Sequence, residues 1–598
     1  MHASFYRRPL FLLLVFYALC LALFLKPPAA EEGDFIAAPP NAAIELSPLT
    51  YPEVKKDRTS FIARVNKIDG AAYNFKTYVY CLNCGEVLKG RDYLLHGSIE
   101  PVESADNLGS FSWQKYLARK RVFSRLNAVQ GGARAAAVNS RFWVAMSKTR
   151  AHILKTFEDN FDAALLPILG GVTIGEKGDI DRRLYTAFQD SGAMHLLVAS
   201  GANVGFVTLI VYFLCALLGA GRKTSAAFAL ILALFYTLIA GADAPLLRAY
   251  IMTLCATLGF LLGRKSGILQ GFIMAALFIL LVNPQSIFDA GFQMSFLATL
   301  AIILLACNFK LSHKMPRLPR VIIELFLVSL AAQLALLPVF TNVFYKVSLT
   351  APFSNIALVP LSGVILGGGF FVWLLSFLHV DFLFNGAVFI LARLLFAFKW
   401  LVEAFASLQI SNLTASAWKA TSVLAYYCAF FAFLNRPIAR RKILYTLFWC
   451  FVICGILFVG LFTGRRGEYA LQGRFNKSLI VKQRGQIKVI GAGVEPEVLS
   501  NAVLALGGKK IDCLFLNALN KSAVYGLRGL KDIKIKNIYF PYSDIPAETQ
   551  AVILETGAKA AFLWPGEEAC GVKAQSGKFM YELGPWRAGA NLKEIERI

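Results

Sequence analysis

Eleven apolar stretches separate two water-compatible segments in this chain, and that alternation restricts it to folds a bilayer permits. A membrane helix needs about 20 apolar residues, and inside a bilayer every backbone polar group must be satisfied internally. Stretches of suitable length lie near 9–25, 193–220, 224–241, 245–263, 267–283, 287–307, 320–345, 352–378, 384–408, 416–434 and 443–463. Hydrophobic residues make up 57% of the chain and the mean hydropathy is +0.56. Residues 26–190 and 464–598 are polar enough to fold in water. The expected fold class is a polytopic α-helical membrane protein of about 11 spans, with an external small OB-like β-barrel domain and an external α/β C-terminal domain.

Orientation follows from positive charge in short loops. Arg7 and Arg8 place the N-terminus in the cytoplasm. Alternation then puts Arg222-Lys223, Arg264-Lys265, the run Lys310 to Arg320 and the run Arg436 to Lys442 inside. Both soluble segments face outward. Helix 384–408 carries Arg393, Lys399 and Glu403; were it to lie in the interface instead of crossing, the last domain would turn inward. The crossing is preferred because it alone keeps RPIARRK cytoplasmic. The first span has a basic start like a signal peptide, but its apolar run favours an uncleaved anchor.

The formal charge is +24. Cytoplasmic loops account for much of it, yet Lys55, Lys56, Arg58, Arg64, Lys67 and Lys76, and the cluster Lys115, Arg119, Lys120, Arg121 and Arg125, belong to the outer segment. Such a surface attracts polyanions; on charge alone, anionic lipid headgroups and nucleic acid are equal claimants. Seven of the 11 cysteines lie in apolar spans. Cys81 and Cys84, in YCLNCGEVL, are outside. A local disulfide is preferred there over an unpaired pair or a metal site, since a zinc site needs four ligands.

From Ser60 to Leu126 short alternating runs read as strands, with turns at Asp69-Gly70, Asn83-Cys84-Gly85 and Lys89-Gly90. An OB-type barrel would offer aromatics and cations to single strands. Tyr73, Phe75, Tyr78 and Tyr80 alternate, so at least half of them face a core, and the preferred reading makes all four core aromatics. Residues 104–119 read as a turn and an amphipathic helix resting on the outer leaflet, and a second amphipathic segment covers 140–158.

Four motifs carry a resemblance. Gly192 to Gly205 reads GAMHLLVASGANVG, Ala244 to Met252 reads APLLRAYIM, and Asn283-Pro284 is followed by Asp289 and GFQMSFLA from Gly291. The fourth pairs Ser329 to Pro338, SLAAQLALLP, with Asn355 to Leu361, NIALVPL. In this order they resemble the ComEC competence proteins, which carry transforming DNA across the bacterial inner membrane. Asn203 departs from the pattern, since many members carry His there. The resemblance implies five regions: an N-terminal transmembrane anchor (1–28), an external OB-like domain (29–135), amphipathic interfacial helices (136–190), a channel core (191–463) and an external domain (464–598) like a degenerate metallo-β-lactamase.

The core residues it singles out are His195, Ser200, Gly201, Asn203, Arg248, Asp289, Gln293, Gln333 and Asn355. Polar groups at membrane depth are costly and face a cavity or one another, so a conduit and a structural network, for instance an Asp289–Arg248 pair, both explain them. Ser200-Gly201 and Gly205 suit a broken helix lining a conduit. Pro352, Pro360 and Gly367-Gly368-Gly369 suggest a second interruption, or tight helix contacts. In the last domain Ala518, Asn520, Ser522 and Ala523 occupy the family's metal-ligand places, and no histidine follows His379. Neither a metal nor another cofactor is expected, and no enzyme activity; a GxxxxGK[ST] loop is also lacking. The expected function is a channel of the cell inner membrane for single-stranded transforming DNA, with Lys115, Arg119, Lys120 and Arg121 receiving it. The expected partners are DNA, membrane lipids, a separate DNA receptor and a cytoplasmic motor or helicase, and a homo-oligomer is allowed. A non-conducting scaffold, or a transporter of another polyanion or lipid-linked polymer, is the alternative.

Overall fold

A computed structural model describes most of residues 9–580; the longest stretches outside the described set are 26–36, 436–448, 457–466 and 517–526, besides 1–8 and 581–598. The chain forms two compact units. One comprises Met1–Val102, Gln114–Leu334 and Ser348–Asn412; the other comprises Glu103–Trp113, Ala335–Val347 and Leu413–Ile598.

The first unit begins with an apolar helix, α1 (Pro9–Phe24), and continues into β1 (Ala38–Pro48), β2 (Glu53–Lys55), β3 (Arg58–Ile68), β4 (Ala71–Leu82) and β5 (Arg91–Pro101). After α2 (Trp113–Ala118) come β6 (Ser124–Ala128) and β7 (Arg134–Val138). Five strands close on themselves in the order β1-β3-β4-β6-β5-β1, with β4 and β6 parallel and the other pairs antiparallel. This closed five-stranded barrel is compatible with an OB-like domain. Alternation sends Ile44, Leu46, Phe61, Val65, Phe75, Val79, Leu95 and Leu126 inward, as a period of two requires. Closure also needs Gly97, because a Cβ there would sit 2.3 Å from the Asn127 carbonyl. Asp69 and Gly70 both have positive φ, 47° and 86°, and turn β3 into β4. Cys81 and Cys84 are joined as a disulfide.

Next come α3 (Arg141–Asn160), α4 (Leu166–Ile174) and α5 (Arg182–Asp190). Ser140 caps α3, its Oγ accepting from the Trp143 amide. α3 is amphipathic, burying Val144, Ile153 and Phe157. α4 differs from the interfacial helix expected within 136–190. Every residue from Pro167 to Ile174 is buried, so it lies inside the helical core.

That core contains α6 (Gly201–Leu217), α7 (Arg222–Ile239), α8 (Ala244–Leu261), α9 (Ile268–Val282), α10 (Ala290–Asn308), α11 (Arg317–Val339), α12 (Ala351–Leu375) and α13 (Asp381–Ala406). Among the described residues four helices are long and apolar enough to cross a membrane: α7, α8, α11 with the π-type turn after it, and α12. Five shorter apolar helices accompany them: Leu10–Phe24, Gly201–Leu217, Leu269–Val282, Ala290–Ala306 and Ala420–Phe433. α13 falls outside both sets and buries a stripe of Leu391, Leu395, Phe398 and Val402. Of the last expected span, 443–463, only a few residues belong to the described set. These helices make the chain a membrane protein.

The expected second interruption does not occur: α12 runs unbroken through Pro360 and its glycine triplet. The glycines admit neighbouring helices instead. A Cβ on Gly363 would lie 2.9 Å from Phe206, and one on Gly369 2.6 Å from Thr173.

In the second unit a six-stranded sheet runs in sequence order through Gly467–Gln472, Lys477–Gln483, Gln486–Ile490, Lys510–Phe515, Lys534–Pro541 and Lys559–Leu563. The first three strands are antiparallel and the last four parallel. The helix Pro496–Ala505 packs Leu499, Val503 and Leu504 on it, and Cys513 is bonded to Cys570. The expected metal-ligand positions Ala518, Asn520, Ser522 and Ala523 lie outside the described residues.

Candidate nucleic-acid interface and membrane core

On the outer face of the barrel, β3 and β4 set Ser60 opposite Tyr80, Ile62 opposite Tyr78 and Arg64 opposite Lys76. Tyr78 is also paired with Arg125 of β6. The alternating aromatics thus divide: Phe75 is buried inside with Tyr73 packed on the same core, while Tyr78 and Tyr80 turn outward. The Arg58 guanidinium lies 5.9 Å from the Tyr80 ring centre. Cations and aromatic rings thus share this face. The middle of the face is covered. Leu117 of α2 is buried with Val102 and Val122, and Ile62, Tyr78 and Tyr116 pack on them. The apolar side of α2 therefore meets the barrel, where a leaflet contact was expected. Lys115, Lys120 and Arg121 stay exposed and Arg119 half-buried. Arg119, Lys120 and Arg121 join Lys76 around a cavity of about 620 Å³, and Lys115 stands apart from it. Arg119 Nη1 donates to the Phe288 carbonyl at 2.8 Å.

The polar groups of the core form three clusters. The first surrounds the break before α6. A short 3₁₀ turn, Met194–Leu196, precedes Ser200, whose Oγ donates to Asn203 Oδ1 at 3.1 Å. Asn203 Nδ2 donates to the Val172 carbonyl at 2.9 Å, satisfying one of the carbonyls left open in the last turn of α4. His195 is exposed, its Nδ1 3.2 Å from the Gly192 carbonyl, and Gly201 lies close to Ala249 of α8.

The second cluster centres on Gly291. Asp289 Oδ1 accepts from its amide at 3.2 Å and so caps α10. Arg248 Nη2 donates to its carbonyl at 3.2 Å. The expected Asp289–Arg248 ion pair is replaced by this shared grip on one residue. Gln293 Nε2 donates to the Ile287 carbonyl at 3.0 Å. Arg248 is 2% exposed, lies against the Phe292 and Phe296 rings, and leaves Nε and Nη1 without a hydrogen-bond partner among the described residues.

The third cluster joins α11 to α12. Gln333 Nε2 donates to the Ser348 carbonyl, and Asn355 Nδ2 to Ser329 Oγ at 2.8 Å. Gln333 Oε1 and Asn355 Oδ1 have no partner among the described residues. The segments flanking the first and fourth motifs meet here: Ser354 Oγ donates to the Ser191 carbonyl at 2.7 Å, and a Cβ on Gly192 would strike Ala351 at 2.3 Å.

All three clusters fall within the span that matches a known protein family. Residues 172–440 match the family of competence proteins. ComE operon protein 3 of Bacillus subtilis is 26% identical over 52% of this chain and 39% of its own length. Residues 172–440 thus resemble the ComEC-type competence proteins. The uncharacterized protein YcaI of Escherichia coli is 28% identical over 32% of this chain and 27% of its own length. The matches thus span about two fifths and about a quarter of these relatives, and no solved structure matches.

The family-matched core is anchored by a residue that the sequence did not single out. Arg150 of α3 donates through Nη1 to the carbonyls of Ile174 and Ile239, the last residues of α4 and α7, at 3.0 and 2.9 Å. Its Nη2 meets Glu176 Oε2 at 2.7 Å. Tyr51, in the loop after β1, lies 5.1 Å below the guanidinium, and its hydroxyl donates to the Leu238 carbonyl at 3.0 Å. One cation thus closes two helix ends, where the helix dipole is negative, and ties the barrel to the core. Lys89 stacks 3.6 Å over Trp143 beside it, and burial pushes the Lys89 ammonium below the usual lysine range, with Asp243 opposing. The signal in the sequence was an arginine in the apolar stripe of α3.

Proposed function

We propose that the protein is an inner-membrane channel that passes single-stranded DNA inward during competence. The observation that carries this reading is the set of spare polar atoms in the family-matched core. Among the described residues, Arg248, Gln333 and Asn355 each leave a buried donor or acceptor open between apolar helices, which costs about 1–3 kcal/mol apiece. A purely structural network would close on itself; a path for a phosphodiester strand needs such groups exposed to its cargo. The outward tyrosines of the barrel, with Arg58 and Lys115, would receive the strand, while Arg119, Lys120 and Arg121 line the neighbouring cavity.

The reading includes 11 spans and two outward domains. Two observations support a common side for the soluble segments. Asn107, from the N-terminal segment, grips the strand Gly467–Gln472 of the last domain: its Nδ2 donates to the Gln472 carbonyl and its Oδ1 accepts from the Gln472 amide, both at 2.7 Å. Leu108 packs in that domain's core, and Gly109 lies against Asn501 and Ala505. Residues 107–109 reach this domain only if an even number of spans intervenes. Each soluble segment also carries a disulfide, which persists in an oxidising compartment. The last domain would act as a guiding shell without nuclease activity, since it contains no histidine and the Cys513–Cys570 bond removes both of its thiols as ligands. Transport energy would come from a partner motor or a gradient.

Uptake of labelled DNA in a deletion strain complemented with this chain tests the reading. Restored uptake of one strand supports it. Restored assembly of the uptake machinery with no strand internalised would favour the scaffold. Reporters inserted near Asp69 and after Ile598 should both be external.

A further inference from the structure

We infer that the cavity between the barrel and the ends of α1 and α9 binds the headgroup of an anionic glycerophospholipid. Its rim is basic. Lys76, Arg119, Lys120 and Arg121 line it, and none of the described lining residues is a carboxylate. These cations are not neutralised elsewhere: Arg119 is spent on a backbone carbonyl, Lys120 stacks 4.5 Å over Tyr116, and Arg121 has no ion-pair partner among the described residues. Burial, with Arg64 and Arg121 close by, holds the Lys76 ammonium below the usual lysine range, so a bound anion would relieve a crowd of like charges.

Leu25, Leu49, Ile62 and Val282 supply an apolar part of the lining. Beside it two apolar helices end in side chains that water would not tolerate as a group. Leu23 and Phe24 of α1 are 75% and 79% exposed, and Leu281 and Val282 of α9 are 67% and 70% exposed. A phosphate in the basic rim with acyl chains along these residues satisfies both halves of the site. Nucleic acid satisfies only one. It has no apolar tail for the helix ends, and none of the described lining residues is aromatic, so bases would have nothing to stack on. The outward Tyr78 and Tyr80 lie elsewhere. A lipid held here would fasten the barrel to the membrane core, and the inference stands whether or not the core conducts DNA.

Full-length protein in nanodiscs of phosphatidylcholine doped with phosphatidylglycerol tests it by native mass spectrometry. The wild type should retain phosphatidylglycerol selectively, and its melting temperature should rise with that lipid and not with phosphatidylcholine. Lys76→Gln combined with Arg121→Gln should lose the selectivity several-fold. Equal retention of both lipids by the wild type, or unchanged selectivity in the double variant, overturns the inference. Displacement of the retained lipid by an oligo-dT strand overturns it too, and assigns the cavity to nucleic acid. Should the double variant fail to fold, the melting shift of the wild type decides alone.

Discussion

Two arginines are buried in the same unit, and their hydrogen bonds could hardly differ more. Arg150 spends its terminal nitrogens on two helix-end carbonyls and Glu176, and faces the Tyr51 ring. Among the described residues Arg248 makes one bond, to Gly291, and leaves Nε and Nη1 unpaired beside phenylalanine rings. A buried charge with a full set of partners is part of the scaffold; one left partly open raises the free energy of the fold and is kept for another reason. Burial does not distinguish the two, since Arg150 is 8% and Arg248 2% exposed; their partners do.

The largest effect should come from Arg150→Met. It strands Glu176 and two helix ends without their donor, and should destabilise the protein by about 3–5 kcal/mol. Thermal unfolding in detergent and membrane abundance report it; a loss below about 1 kcal/mol would break the comparison. Arg248→Met should leave stability within about 1 kcal/mol, because one weak bond is exchanged for relief of a desolvated charge. DNA uptake per folded molecule should nevertheless fall about tenfold or more, the value of a charge-assisted contact of ~1.5–3 kcal/mol. Normal uptake would return Arg248 to the scaffold.

Glu176→Gln should cost about 1–2 kcal/mol, since a neutral amide oxygen still accepts from Arg150. Its melting curve should lie between those of the wild type and Arg150→Met. Tyr51→Phe is the mildest, about 1 kcal/mol for the bond to the Leu238 carbonyl. It also carries a pH signature. Burial pushes the Tyr51 phenol up to about 12, with Arg150 pulling the other way. The folded value exceeds the ~10 of an unfolded tyrosine. Stability from the protonated phenol is therefore full below pH ~10 and is lost as pH rises from there through about 12. The phenylalanine variant should lack that part of the alkaline loss.

Composition and periodicity determined much on their own. Apolar runs of membrane length are legible because the bilayer sets their size. The barrel turns at Asp69-Gly70 and Gly90 are legible because only certain residues accept positive φ. The four motifs were readable because polar residues are rare in apolar helices, and they lie in the span that matches the competence proteins. Other features depend on contacts between distant parts of the chain. α4 has an apolar sequence too short to be read as a span, and only its neighbours show it buried on every side. The α12 glycines fit a kink and a close contact equally well until Phe206 and Thr173 stand against them. α2 could have laid its apolar side on lipid; Ile62 and Tyr78 claimed it. Arg150 and Arg248 are each one arginine in an apolar stretch. What distinguishes them is the number of carbonyls and carboxylates that tertiary structure brings within hydrogen-bond reach, and a linear pattern cannot express that count.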